Sequence, residues 1–181
     1  MKSARAGLIA TSTRAVTTVG QAIVVAGAIA IAAKIRVWLP WSPVPVTLQT
    51  FVVLAAPALL GLSAGAGGVA LYVAAASAGL PVIAGPSVFG PTGGYLLGFI
   101  AAAALVAHYR TAPHWRLFGV MAVASAVIYL CGATWLWAWS GESLSWVLSA
   151  GVLPFLPGDV AKLVAAWAAT GVARASGRGS F

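Results

Sequence analysis

Between residues 115 and 139 the only charged side chain is Arg116. A run this long and this apolar has one low-energy arrangement outside a large soluble core: a helix in lipid, where every backbone N–H and C=O is satisfied within the segment. A spanning helix needs about 20 mostly apolar residues, or about 17 at the short end. Five more stretches approach that requirement, at 19–35, 47–62, 65–80, 94–109 and 157–172. Residues 144–152 read as a short helix or re-entrant piece. The expected fold is therefore all-α, one integral membrane bundle of six transmembrane helices. Residues 1–181 form a single domain, with 1–18 a cytoplasmic or interfacial tail, 19–172 the bundle and 173–181 a cytoplasmic tail.

Composition supports membrane residence. The chain of 181 residues is 61% hydrophobic and 7% charged, with a mean hydropathy of +1.00, whereas soluble domains carry about a quarter charged residues. The net charge of +8 does not indicate nucleic acid, because the basic residues sit at segment ends rather than along a stripe. With an even number of spans, Lys2, Arg5, Arg14, Arg110, Arg116, Arg174 and Arg178 share one side, against Lys34 and Arg36 opposite. Basic residues favour the cytoplasm, so both termini are expected there and the chain is expected to be a multi-pass membrane protein. The basic N-terminus lacks the sustained apolar core of a cleavable signal peptide.

The outward connections carry the unusual chemistry. Residues 38–49 hold three prolines and lean to extended structure, with Thr47 expected to cap the second helix and Gln49 in its first turn. Residues 79–95 are dense in Gly and Pro, with Thr92 a cap for the fourth helix. Irregular backbone near membrane depth is tolerated where protein buries it or where it lines a cavity. The opposite connections are plainer: 61–68 is an uncharged flexible turn, and 108–116 is a basic aromatic loop whose His108 and His114 read as solvated or membrane-surface residues.

The last span opens with Leu153-Pro-Phe-Leu-Pro-Gly-Asp159-Val-Ala-Lys162 and holds one of only two acidic residues in the chain. Proline is tolerated in a first helical turn. Asp159 therefore falls among free backbone N–H groups, where a carboxylate is favoured. Lys162 lies on the same face about a turn later and needs an anionic partner at this positive helix end. That partner is Asp159, as a structural pair, or an arriving ligand. Ionisable residues within membrane segments are functional candidates by default.

Elsewhere the signals are weaker. Ala22, Ala26 and Ala30 form a small-residue row that permits close helix approach in lipid. Trp135, Trp137 and Trp139 read as an interface belt. There is no phosphate-binding loop, zinc-protease helix or nucleophile elbow, no His/Cys cluster with metal spacing, and a single cysteine, Cys131. Neither enzyme nor metal site is expected, and no cofactor. The chain cannot hydrolyse ATP alone, so uphill transport draws on a partner or an ion gradient.

Four motifs in order are specific enough to name a family: Pro43-Val-Pro-Val-Thr-Leu-Gln-Thr-Phe51, Gly79-Leu-Pro-Val82, Phe89-Gly-Pro-Thr-Gly-Gly-Tyr-Leu-Leu-Gly98 and Pro154-Phe-Leu-Pro-Gly-Asp-Val-Ala-Lys162. Together they resemble the BioY family, biotin-specific substrate-binding subunits of energy-coupling factor transporters, over roughly residues 20–170. The segment 84–89 departs from the family by being shorter and less glycine-rich. The resemblance implies a six-helix subunit that captures biotin from outside. It would dock through Ala22, Ala26 and Ala30 onto a transmembrane coupling protein carrying two ATPase subunits. Asp159 and Lys162 match the family's acidic and basic pair near the vitamin, and 44–49 would close over it.

The chemistry agrees with that implication. Biotin presents two ureido N–H donors, one ureido oxygen, an apolar thioether ring and a carboxylate tail. An acceptor-only carboxylate suits the donors and an ammonium suits the oxygen or the tail. Gln49 and Thr47 are expected beside the pair, with Tyr72, Tyr95, Phe155 and Trp41 as apolar walls. Two other readings stand beside this one: a subunit for a different small vitamin, and a non-transport membrane scaffold with Asp159–Lys162 as a structural pair.

Overall fold

The computed structural model describes the backbone of residues 2–177 and the side chains from Arg14 to Gly177. Residues 1 and 178–181, including Arg178, lie outside the described residues, as do the side chains of Lys2 and Arg5. The described residues form seven α-helices: α1 (Lys2–Lys34), α2 (Gln49–Gly61), α3 (Gly67–Ser77), α4 (Gly93–His108), α5 (His114–Ser140), α6 (Leu144–Gly151) and α7 (Leu156–Ala175). α1 begins earlier than expected, so the stretch read as a tail continues the helix from Lys2.

Two-residue strands β1 (Arg36–Val37) and β2 (Val46–Thr47) pair antiparallel, Arg36 with Thr47 and Val37 with Val46. The proline-rich connection is extended, as its composition requires, and it folds back on itself as a small ribbon. α2 consequently starts at Gln49, not at Thr47. Leu48 is the capping residue, while the Thr47 hydroxyl accepts the Gln49 N–H at 3.3 Å.

α2 and α3 follow one another through a π-helical turn, Leu62–Ala66, with no residue left between the elements, yet they are not one long span. Gly61 has φ +77° and ψ −161°, a backbone that glycine adopts readily. A β-carbon on Gly65 would lie 2.5 Å from Pro57 Cα. Gln49 Nε2 donates to Tyr72 Oη at 2.8 Å, although a continuous helix would hold these residues about 35 Å apart at 1.5 Å per residue. The chain therefore reverses at Gly61, where the sequence places a turn.

Length and apolarity qualify α5 and the part of α1 from Arg14 to cross a membrane. The pair α6 and α7, bent by 49°, qualifies as one broken span. α2 and α3, with 13 and 11 residues, are shorter than the spans expected of them, whereas α4, with 16, has the expected length. All three are packed inside the bundle: α2 against α1, α4 and α7, α3 against α1, and α4 along α5.

The α4–α5 crossing is the closest in the fold. A β-carbon on Gly94 would meet Trp135 Cβ at 2.2 Å and Cys131 O at 2.4 Å, and one on Gly98 would meet Ile128 Cα at 2.8 Å. Glycines four residues apart let two backbones touch in lipid, where packing rather than water exclusion holds helices together. Side chains then fill what remains, with Phe99, Val106, Leu117, Met121 and Ile128 buried along the seam.

Candidate functional site

The two connections read as outward converge at one end of the bundle, together with the bend between α6 and α7. Val44, Pro45 and Thr47 come from the ribbon, Ile83 and Ala84 from the α3–α4 connection, and Phe155 from the bend between α6 and α7. With α2, α4, α5 and α7 they enclose a recess of about 570 Å³, its mouth included. Its lining atoms stand so close that little of this space admits a free water molecule.

Asp159 is the polar centre. α7 begins at Leu156 with Pro157 in its first turn, so the helix opens as the sequence predicts. The carboxylate does not cap it, however: the Asp159 N–H is already bonded to Phe155 O at 2.9 Å. Instead Oδ1 accepts from Lys162 Nζ at 2.5 Å and from Thr50 Oγ1 at 3.0 Å, while Oδ2 accepts from Tyr129 Oη at 2.5 Å. The side chains of Asp159 and Lys162 are 14% and 13% exposed. Three donors from three helices thus surround one carboxylate in a set of charge-assisted bonds. α2, α5 and α7 are joined at the same point.

Gln49, 4% exposed, lies one step along the wall. Its Oε1 accepts from Thr47 Oγ1 at 3.2 Å, and its Nε2 donates to Tyr72 Oη. Tyr95 and Phe155 line the recess, and Tyr95 Oη donates to Gly151 O at 2.6 Å. Of the residues singled out by sequence, Asp159, Lys162, Gln49, Thr47, Tyr95 and Phe155 meet here. Tyr72 stands outside the lining, fully buried behind Gln49, and Trp41 is 62% exposed and remote from the recess.

Thr50 and Tyr129 are the residues that sequence reasoning missed. Leu96, Phe99 and Ile128 supply an apolar wall that it also missed. Thr92 occupies the capping position of α4 but makes no side-chain cap bond, and it faces the recess.

Two further expectations change. Trp135 is not a belt residue: its Nε1 donates to Gly90 O at 2.9 Å and its ring covers Gly93 and Gly94, which fastens the α3–α4 connection to α5. Trp137 and Trp139 are exposed. At the opposite end His114 is packed rather than solvated. It stacks on Trp167 at 4.4 Å and its Nε2 lies 3.0 Å from Trp167 O. Ala22, Ala26 and Ala30 are half-buried; Ala26 and Ala30 touch the core, and the Ala22 carbonyl faces Gly68 of α3. No group of three or more His, Cys, Asp or Glu suited to a metal exists among the described residues.

The BioY family model matches residues 3–178. The chain belongs to the BioY family. Relatives include the biotin transporter BioY of Thermotoga maritima, 38% identical over 71% of this chain and 79% of that protein. That of Rhodobacter capsulatus is 35% identical over 67% and 74%. Among solved structures, the S-component for biotin from an ECF-type ABC transporter superposes with a TM-score of 0.80, covering 90% of this chain and 93% of its own, at 24% sequence identity. The bundle thus has the fold of that S-component. Three of the four motifs that carried the resemblance supply most of the recess: the first gives Val44, Pro45, Thr47, Gln49 and Thr50, the third Thr92, Tyr95 and Leu96, and the fourth Phe155, Asp159 and Lys162.

Proposed function

We propose that this chain is the biotin-binding subunit of an uptake system, one integral domain in a prokaryotic cell membrane that captures the vitamin from outside. The observation that carries the reading is the Asp159 carboxylate held by Lys162, Thr50 and Tyr129 inside a recess whose other walls are largely apolar. The names of the BioY relatives and of the structural neighbour support the choice of ligand.

Donor and acceptor capacity fits a ureido ring. A carboxylate offers about four lone-pair sites; Lys162, Thr50 and Tyr129 use three, which leaves one on Oδ2 for a ligand N–H. Gln49 Oε1 accepts one bond and keeps a second lone pair for the other. Lys162 uses one of its three donors on Asp159 and has the rest for the ureido oxygen. Leu96, Phe99, Ile128 and Phe155 offer the thioether ring a dry wall. The ligand is the only small molecule required, with no cofactor and no catalysis.

Uptake against a gradient requires a partner, in this reading a transmembrane coupling protein with two ATPase subunits. The α1 row Ala22, Ala26 and Ala30 is its proposed docking line. Both termini lie in the cytoplasm, which places the recess at the outer leaflet. Calorimetric titration of the purified protein with biotin, with other small vitamins in parallel, tests the reading. Tight binding of biotin alone is expected. Selective binding of a different vitamin would move the assignment to that vitamin, and binding of none would leave the Asp159 cluster a structural pair.

A further inference from the structure

Lys34 ends α1 and Arg36 begins β1, and neither meets a carboxylate. The one ion pair among the described residues is Asp159–Lys162. Lys34 Nζ donates to Pro81 O at 2.8 Å and to Ile83 O at 3.4 Å, and Arg36 Nη1 donates to Ala84 O. Three carbonyl groups of the α3–α4 connection are therefore turned toward two cations. The segment 81–84 is a thin partition. Ile83 and Ala84 line the recess on one side, while Lys34, Arg36, Pro81 and Ile83 line an outer hollow of about 900 Å³, mouth included, on the other.

Charge at this end is unbalanced. The chain has two acidic residues: Asp159, matched by Lys162, and Glu142, exposed in the turn between α5 and α6. Carbonyl dipoles face Lys34 and Arg36, and the Trp38 ring lies 5.8 Å from the Arg36 guanidinium, but no anion among the described residues faces either cation. Both cations keep unused donors, since an ammonium has three and a guanidinium five, so a carboxylate can join them while the partition stays held. Lys162 is the poorer host for a ligand carboxylate. Its charge is already neutralised, and an anion placed there would lie against Asp159.

We propose that Lys34 and Arg36 form the subsite for the ligand's carboxylate. The ring system is then set toward Asp159 and Lys162, and the aliphatic tail passes the 81–84 partition to the rim. This assignment rests on the biotin reading and adds the direction in which biotin lies.

The test is titration of the full-length protein with biotin and with biotinamide, whose tail carries no charge. The unmodified protein should prefer biotin by about tenfold, the lower end for a charge-assisted contact at a partly exposed site. That preference should shrink as salt is raised. The Lys34→Gln/Arg36→Gln double variant should bind biotin about tenfold more weakly and biotinamide unchanged, whereas Arg36→Lys should keep most of the preference. Equal affinity of the unmodified protein for both ligands, or a preference indifferent to salt, overturns the assignment without any substitution. Equal weakening of both ligands in the double variant also overturns it, reducing the two cations to supports of the loop. Binding of neither ligand by the unmodified protein overturns the biotin reading itself, and the tail subsite with it.

Discussion

Removing charge from the Asp159–Lys162 pair separates a binding site from a structural tie. In Asp159→Asn the amide keeps one acceptor oxygen and replaces the other with N–H donors, so the three donors of Lys162, Thr50 and Tyr129 compete for one oxygen. Lys162, 13% exposed, loses its counter-charge. Lys162→Met keeps the length and apolar bulk of the stem and leaves Asp159 with two hydroxyl donors. Each single change should lower stability by about 2 kcal/mol, below the usual cost of orphaning a fully buried charge because both groups retain some water. The double variant should lose at least about 1 kcal/mol less than the sum, since no unpaired charge remains. Affinity for biotin should behave otherwise: about 30-fold weaker in each single variant, the equivalent of about 2 kcal/mol, and not restored in the double. Thermal unfolding and calorimetric titration of the same four preparations, in one detergent, give both quantities. A site that recovers affinity along with stability in the double variant, or folded single variants that bind like the unmodified protein, would refute the reasoning.

Three further outcomes follow from the geometry. Gly65→Val should prevent folding or cost several kcal/mol, because its side chain would enter the Pro57 backbone across the α2–α3 reversal; a variant with unchanged thermal stability would mean the reversal is absent. His114→Ala should destabilise by about 2 kcal/mol through loss of the Trp167 stack and hydrogen bond, with biotin affinity unchanged in titration because the residue lies at the far end. Reporter fusions after Arg14 and within 112–114 should both report cytoplasm by the basic bias; an outside report at 112–114 would break the six-span topology.

What was legible in the sequence was whatever broke an apolar background. Asp159 and Lys162 are charges in lipid-length runs, and Gln49, Thr47 and Phe155 stand next to prolines that stop helices, so each announces itself. Tyr129 and Thr50 do not. Tyr129 is one aromatic residue in the middle of α5 and Thr50 one hydroxyl in the first turn of α2; only the crossing of α2, α5 and α7 turns both toward Asp159. The α2–α3 reversal was readable because Gly61 lies in a glycine-rich stretch. The ribbon β1–β2 was not, since two-residue strands leave no alternating pattern. Trp135 and His114 were misplaced for one reason: Trp and His at helix ends are common at a membrane surface, and nothing local shows that a glycine on another helix makes room for the ring.

Ser42 in the ribbon and Tyr95 on α4 both reach the last carbonyls of α6, Ser42 Oγ donating to Ala150 O at 2.6 Å and Tyr95 Oη to Gly151 O at 2.6 Å. These carbonyls have no partner within the helix, and the two hydroxyls seal them in a dry place. Lifting the ribbon from the recess exchanges the Ser42–Ala150 hydrogen bond for bonds to water, at a net cost of about 0.5–1.5 kcal/mol. The open form is then a minority of the population. Capture of a ligand would run through that minority, at a rate below simple diffusion.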